Sequence, residues 1–282
     1  MTSSTPPARP RVIGDFSASS LVDLISLEGR TAVVTGGARG IGRAIAGRLA
    51  EAGAGVLIAD LDEAEAVRAA AELDSQAAAR VRGTGVDVVD SATVGAAADL
   101  AIELGGGLDI WVNAAGIYPI HSVLETDDAA WDRTLDINLR GTFLGAREAA
   151  RRMVGREPGG VILNIASTTG YLAPNPGIAH YVSSKHGVIG LTKSLAVEFG
   201  EHGVRALAIA PGAVMTPGMR VLEDDFAANV GGDFIEMVTA RVRLGRVAVP
   251  DDVARVALFC VSDLAAYMTG TTIAVDAGYL AS

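Results

Sequence analysis

A single doubly wound α/β domain, with a predominantly parallel sheet of about seven strands and helices on both faces, is the fold the sequence predicts. Three observations carry that expectation. Short, continuously apolar runs alternate with longer alanine-rich segments, the first run ends in a glycine-rich turn, and no proline-rich or charged linker interrupts residues 30–281. Strands apolar along their whole length suit a sheet covered on both faces, and the intervening helices return the chain for parallel pairing. Half of the 282 residues are hydrophobic, enough for one large core, and aromatics at 5% make that core aliphatic.

The strands are read, in order, as TAVVT (31–35), GVLIAD (55–60), RGTGVDV (82–88), LDIWVN (108–113), GVILNIAS (160–167), VRALAIAP (204–211) and TTIAVDA (271–277). Between the early ones, Ile41–Ala52, Asp62–Ala79 and Ser91–Leu104 read as helices. Residues 1–26 are expected to form a flexible N-terminal extension, with a short packed segment near Ser20–Leu27, and residues 27–282 one catalytic domain. The stretch 217–249 is irregular, acidic and broken by Gly218, Gly231 and Gly232, so it reads as a substrate lid.

Charge and cysteine content exclude several function classes. The formal charge of −10 comes with no basic run, which argues against a nucleic-acid partner. A lone cysteine, Cys260, excludes an intramolecular disulfide, reads as a core residue and fits a cytoplasmic location. No stretch is long and apolar enough for a membrane span. The four histidines, at 121, 180, 186 and 202, form no ligand motif with the cysteine, so no metal is expected.

The first strand runs straight into GGARGIG, placing Gly36, Gly40 and Gly42 before a helix. Such a turn lets backbone approach a pyrophosphate while the helix offers free N–H groups and its positive dipole end. Asp60 ends the second strand, 20 residues after Gly40. A carboxylate there accepts hydrogen bonds from an adenosine ribose and repels a 2′-phosphate, which points to NAD. Arg39 pulls the other way, since a guanidinium in the turn can pair with that phosphate. Asp87, after the third strand, suits either an adenine amino group or an Asx-turn.

Tyr181 and Lys185 lie four residues apart in a segment with helical apolar spacing through Val182, Val188, Leu191, Leu195 and Phe199. They therefore share one side of a helix. A neighbouring ammonium favours the phenolate form of a tyrosine and so suits it to proton transfer. Ser167 ends the fifth strand at the carboxyl side of the sheet, where ligands collect. It lacks a G-x-S-x-G setting, so polarisation of a substrate oxygen suits it better than covalent attack.

Taken together, TGGARGIG (35–42), Asp60, Asp87-Val88, NAAG (113–116), DINLRG around Asn138, NIAS (164–167), YVSSK (181–185), PGAVMT (211–216), Gly245-Arg246 and TG…VDAG (269–278) resemble the short-chain dehydrogenase/reductase family, in family order. The resemblance implies a Rossmann-type fold and an NAD-dependent oxidoreductase in which Tyr181 is the general acid/base. It further implies that Lys185 lowers the tyrosine pKa and holds the nicotinamide ribose, that Ser167 orients the substrate oxygen, and that Asn138 holds a water linking the lysine to solvent. The implied cofactor residues are Gly36, Arg39, Gly40, Ile41, Gly42, Asp60, Asp87, Val88, Asn113, Ala114, Gly116, Tyr181, Lys185, Pro211, Gly212, Val214 and Thr216. A homotetramer or homodimer is implied as well. The chain departs from the family at Ala114, where NNAG is common, and at Ala277, where VDGG is common.

The substrate is expected to be a small-molecule alcohol or ketone. Position beside the motifs nominates Ile117, Tyr118, His121, Thr169, Tyr171, His180 and Met215 as pocket residues, and the LETDDAAW stretch (124–131) is similar to that of polyol dehydrogenases. A polyol or sugar alcohol is thus the leading expectation. The alternatives are an NADPH-dependent 3-ketoacyl carrier-protein reductase, a dehydrogenase of steroids or other hydrophobic cyclic alcohols, and a non-catalytic nucleotide-binding scaffold.

Overall fold

The computed structural model describes residues 13–75, 80–220 and 234–281. Its elements begin with α1 (Leu21–Ile25), β1 (Thr31–Thr35), α2 (Gly40–Glu51), β2 (Gly55–Asp60), α3 (Glu63–Asp74), β3 (Val81–Gly85) and α4 (Ser91–Gly105). There follow β4 (Ile110–Asn113), α5 (Asp128–Leu135), α6 (Gly141–Met153), β5 (Gly160–Ile165), α7 (Ala179–Phe199), β6 (Val204–Pro211) and β7 (Thr272–Val275). Two further helices, Phe234–Thr239 and Pro250–Val261, lie between β6 and β7.

The strands form one seven-stranded sheet in the order β3-β2-β1-β4-β5-β6-β7, and every pair is parallel. The chain winds outward from β1 in one direction to β3 and then returns to place β4 on the other side of β1. Such a reversal opens a crevice at the carboxyl ends of the central strands. β1 and β4 are buried at every residue, as strands covered on both faces must be.

Apolar packing divides into one layer on each face. Ile45 and Leu49 of α2 share a cluster with Val253, Ala257 and Cys260 of the helix Pro250–Val261, against Val34, Val112 and Leu163 of the sheet. On the other face, α4 and α6 meet Val33, Trp111 and Ile162. Alanine dominates the sheet-facing sides of these helices: Ala97, Ala98 and Ala101 on α4, and Ala146, Ala149 and Ala150 on α6. Short side chains there bring helix backbone close to the strands. Cys260 is fully buried, as its apolar context predicts.

Four strands are shorter than the apolar runs suggest, β4 among them, since it begins at Ile110. β3 stops at Gly85, because Asp87 leaves the sheet with its Oδ1 accepting from Val89 N at 3.1 Å. β5 stops at Ile165, and Ser167 opens a 3₁₀ turn instead of continuing the strand. β7 spans Thr272–Val275, the middle of the run read as a strand. At the amino-terminal side, Ser20 caps α1 with a reciprocal Ser20–Asp23 capping box. The short segment near Ser20–Leu27 is helical, yet only Leu27 of it is buried. The expectation of flexibility over 1–26 lies outside the described residues up to residue 12.

Ala277, where the family commonly has glycine, adopts a left-handed backbone with φ of 52°. Its carbonyl accepts from Arg243 N at 2.8 Å and Leu244 N at 3.3 Å, which ties it to the segment after Phe234–Thr239. The left-handed conformation costs a residue with a β-carbon about 1–2 kcal/mol, whereas glycine adds about 0.4–1 kcal/mol of unfolded-state entropy. Ala277→Gly is therefore expected to stabilise the fold by about 0.5–1 kcal/mol in urea denaturation. A variant no more stable than the parent would show that the position carries no strain.

Candidate active site

The crevice begins at the glycine turn. Gly36 has a φ of 62°, and a β-carbon there would come within 2.6 Å of Ala115 Cα on the loop after β4. A β-carbon on Gly42 would overlap the Gly36 carbonyl oxygen, so helix start and turn touch backbone to backbone. The helix cap, Arg39, makes no side-chain capping bond. The first-turn N–H groups of Gly40, Ile41 and Gly42 thus face the crevice without competition from a capping side chain. That glycine-lined cradle with free donors fits a dinucleotide pyrophosphate. Across it, Pro211 ends β6, Gly212 N bonds Val275 O at 3.0 Å, and Val214 bridges to Ala248. Thr216 Cγ2 stands 3.4 Å from the place a β-carbon would take on Gly40. The two ends of the expected cofactor set therefore converge.

Asp60 is held by its own backbone neighbourhood. Oδ2 accepts from Ala38 N at 3.0 Å and Oδ1 from Asp62 N at 3.2 Å. Arg39 projects outward and pairs with Asp62 at 3.0 Å and Glu65 at 3.3 Å. Arg68 and then Arg39 hold the Glu65 carboxyl below the usual carboxylate range, partly offset by desolvation. Asp87 is exposed in the Asx-turn that the sequence allowed as one of its two roles. Val88 abuts α6, where a β-carbon on Gly141 would lie 2.9 Å from its Cγ2. Ala114 N donates to Thr35 Oγ1 at 3.2 Å, joining β1 to the loop after β4.

Ser167, Tyr181 and Lys185 come together where β5 meets α7. Ser167 Oγ accepts from Thr169 N at 3.1 Å and stands on the Tyr181 phenol's side, where its hydroxyl favours the ionised form. Lys185 is buried, with Nζ 5.7 Å from the Tyr181 ring centroid, and donates to Ile165 O at 2.8 Å. Desolvation pushes the Tyr181 phenol up to about 12, against the lowering effect of Ser167, and pulls Lys185 down to about 8. In this arrangement burial dominates the shift of the phenol. The ammonium is directed at a carbonyl, and burial outweighs its attraction for the phenolate.

Asn138 is completely buried in a π-helical segment, Asp136–Arg140, between α5 and α6. A widened turn of this kind is common at functional sites. Its Oδ1 accepts from Ile117 N at 2.8 Å, and its Nδ2 donates to Ile117 O at 2.8 Å and Ser184 Oγ at 3.2 Å. A β-carbon on Gly116 would lie 3.1 Å from Asn138 Oδ1 and 3.7 Å from Lys185 Nζ. The absence of a side chain at 116 thus keeps open the space between the two polar groups.

The expected pocket residues are distributed around this centre. Tyr118 meets Tyr181 edge-on, with ring centroids 6.3 Å apart. His180 is buried, and its Nδ1 accepts from Tyr181 N at 2.8 Å. That bond leaves the proton of a neutral ring on Nε2, which has no partner among the described residues, as Thr169 Oγ1 has none. Desolvation and then His121 hold His180 below the usual histidine range. His121 is exposed, its ring 6.1 Å from His180, and Tyr171 is 48% exposed. Met215 N bonds Ala248 O at 2.8 Å. Of the expected lid, residues 217–220 are helical and Thr216 Oγ1 accepts from Met219 N at 3.2 Å. Residues 221–233, including Val221, Leu222 and Phe226, lie outside the described residues.

Three residues to which the sequence assigned no role complete the arrangement, two of them inside the NIAS and YVSSK motifs. Asn164 pairs with Asn113 in the β4–β5 register, and Asn113 Nδ2 donates to Asn164 Oδ1 at 2.9 Å. Asn164 Nδ2 then donates to Thr192 Oγ1 on α7 at 3.0 Å. Ser184 Oγ donates to Tyr181 O at 2.7 Å while receiving the Asn138 bond. The signal for the asparagines was a polar residue inside an otherwise apolar strand. Ser184 and Thr192 carried a weaker one, a face shared with Val188.

Comparison with known proteins agrees in extent and shape. A family model described as enoyl-(acyl carrier protein) reductase matches residues 36–280. The chain is 40% identical over 253 residues to a D-threitol dehydrogenase of Mycolicibacterium smegmatis, covering 90% of this chain and 94% of that one. It is 37% identical to 3beta-hydroxysteroid dehydrogenase 1 of Eggerthella lenta, covering 89% and 94%. A crystal structure of a short-chain type dehydrogenase/reductase from Mycobacterium marinum superposes with a TM-score of 0.85 at 32% identity, covering 93% and 100%. Among the described residues no helix is long and apolar enough to cross a membrane, and no three acidic, histidine or cysteine side chains converge as a metal site.

The buried lysine sets a measurable pH dependence. Its folded-state pKa of about 8 lies below the ordinary 10.5, so between those values the unfolded chain binds more protons and stability rises with pH. Lys185→Met removes that rise. Its stability relative to the parent should fall by up to about 3 kcal/mol between pH 7.5 and 10.5 in urea titrations. A difference that stays flat over this range would mean that the ammonium is not destabilised by burial.

Proposed function

Because the chain belongs to the short-chain dehydrogenase/reductase family of NAD(P)-dependent enzymes, we propose that it is an NAD-dependent oxidoreductase interconverting a secondary alcohol and its ketone, with Tyr181 as general acid/base. The observation that carries this reading is the convergence of Ser167 at the end of β5 with Tyr181 and, one turn further along α7, the buried Lys185, whose Nζ lies 5.7 Å from the Tyr181 ring centroid. Ser167 and Tyr181 together hold the substrate oxygen. In the reducing direction Tyr181 donates its proton as the carbonyl becomes a hydroxyl, and in the oxidising direction it withdraws that proton. A nicotinamide cofactor held by the glycine turn and by Lys185 would supply or accept the hydride, and its oxidised ring would add a positive charge that favours the phenolate. Lys185 and Asn138, facing each other across Gly116, return the proton toward solvent through a water.

A phenol held up to about 12 is protonated at neutral pH, so the protein's own electrostatics favour proton donation. The NAD preference rests on the acidic surroundings of the expected ribose site. Asp60 is fixed there by two backbone donors, and Arg39 is already engaged by Asp62 and Glu65. A 2′-phosphate would have to displace those carboxylates from Arg39 while facing Asp60.

A polyol or sugar alcohol is the favoured substrate. The similarity to a D-threitol dehydrogenase and the two unpartnered polar atoms, His180 Nε2 and Thr169 Oγ1, support it. A hydrophobic cyclic alcohol is the second reading, favoured by the similarity to a hydroxysteroid dehydrogenase. The same family likeness supports a homodimer or homotetramer.

Tyr181→Phe tests the assignment of the acid/base. Fluorescence titration should find nicotinamide binding retained while turnover falls by about 10²-fold or more; near-normal turnover would sink the role. Asp60→Ala tests the cofactor reading, since the ratio of kcat/KM with NAD to that with NADP should fall by about tenfold. A parent enzyme that already favours NADP would overturn the electrostatic argument.

A further inference from the structure

Tyr118 bridges two parts of the molecule that the chemistry must keep in register. At one side its ring meets Tyr181 edge-on, the planes inclined at 70°. At the other, its hydroxyl end rests on residue 218 in the helical turn 217–220. A β-carbon on Gly218 would overlap the Tyr118 hydroxyl oxygen and stand 2.8 Å from Cζ. Gly218 is not among the glycines with positive φ, so it is needed there for space rather than for an unusual backbone. Glycine in a helical turn is less favourable than alanine by about 1 kcal/mol, a disadvantage that the seating of the phenol explains. Thr216 caps the same turn through Met219 N, which fixes the platform on which Tyr118 rests.

The reacting oxygen lies between Ser167 and Tyr181, so the carbon skeleton attached to it must pass the half-buried ring of Tyr118. We infer that Tyr118 sets the width of the substrate pocket, with Gly218 as its positioning residue. The pair admits slender acyclic alcohols carrying further hydroxyls and excludes fused-ring alcohols. This rests on the polyol reading above and narrows it. The phenol also presents a donor and an acceptor to a neighbouring substrate hydroxyl, which a flat apolar wall would not. Gly218 acts through Tyr118 alone: any side chain at 218 takes the space of a ring that can rotate away, so the damage falls on substrate fit before it falls on the fold.

The test compares kcat/KM for an acyclic polyol and for a fused-ring secondary alcohol in the parent, Tyr118→Ala, Gly218→Ala and the double variant. Thermal unfolding and nicotinamide binding are followed in each, and Tyr118→Leu stands in if the alanine variant fails to fold. Tyr118→Ala should raise the fused-ring to polyol ratio by about tenfold or more. Gly218→Ala should raise KM for the polyol about fivefold or more with kcat little changed, and should have no effect once Tyr118 is alanine. An unchanged ratio in Tyr118→Ala, or an equal effect of Gly218→Ala in both backgrounds, overturns the assignment of these two residues. A parent that prefers the fused-ring alcohol, or turns over neither, instead sinks the polyol reading and the exclusion built on it.

Discussion

Two asparagines at matched positions of neighbouring strands, Asn113 and Asn164, tie the centre of the sheet to the helix that carries Tyr181 and Lys185. The chain of bonds starts at Trp111 Nε1, which donates to Asn113 Oδ1 at 2.8 Å, and ends where Thr192 Oγ1 donates to Val188 O at 2.8 Å. Every asparagine side-chain polar atom in it is satisfied while buried, so each bond operates at low dielectric and each deletion leaves a buried partner orphaned. Apolar packing alone would let α7 slide along the sheet. A directional ladder does not, and it fixes α7 relative to the end of β5 where Ser167 sits.

With that register fixed, the remaining chemistry follows from how little water reaches the junction. The same burial drives Tyr181 and Lys185 toward their neutral forms by opposite shifts. Both shifts oppose folding at some pH, and among the described residues no carboxylate pairs with Lys185 to offset its own. Such costs concentrate where function requires a charge to appear and disappear during a reaction. The structure offsets them elsewhere, with a continuous apolar layer on each face of the sheet.

The parts of this design that were legible in the sequence are those enforced by local rules. Apolar runs alternating with alanine-rich helices located all seven strands, most clearly the central ones that are buried on both faces. Glycines 36, 40 and 42 were legible for steric reasons, as was Asp60 at a strand end. What stayed hidden depends on contacts between distant segments. Nothing local to Gly218 announces Tyr118, one hundred residues earlier, and nothing local to Lys185 says that its ammonium reaches the Ile165 carbonyl instead of the phenol. Strand ends were also blurred, since Asp87 and Ser167 leave the sheet through side-chain bonds to backbone that apolar periodicity does not register. Ala277 was visible as a departure, but its meaning lay in a left-handed backbone that the motif alone does not reveal.

The alanine faces of α4 and α6 carry a consequence for how this fold can drift. A core built of leucine or phenylalanine fails by losing volume, because truncation leaves a cavity. Here the helices already sit near their limit of approach, with Ala98, Ala101, Ala146 and Ala149 at or near zero exposure against the strands. Truncation of a methyl group removes little, whereas growth by even one or two carbons drives the helix outward, at about 1–3 kcal/mol. Growth at these positions should therefore be the less tolerated change, the reverse of the asymmetry found in a large-residue core.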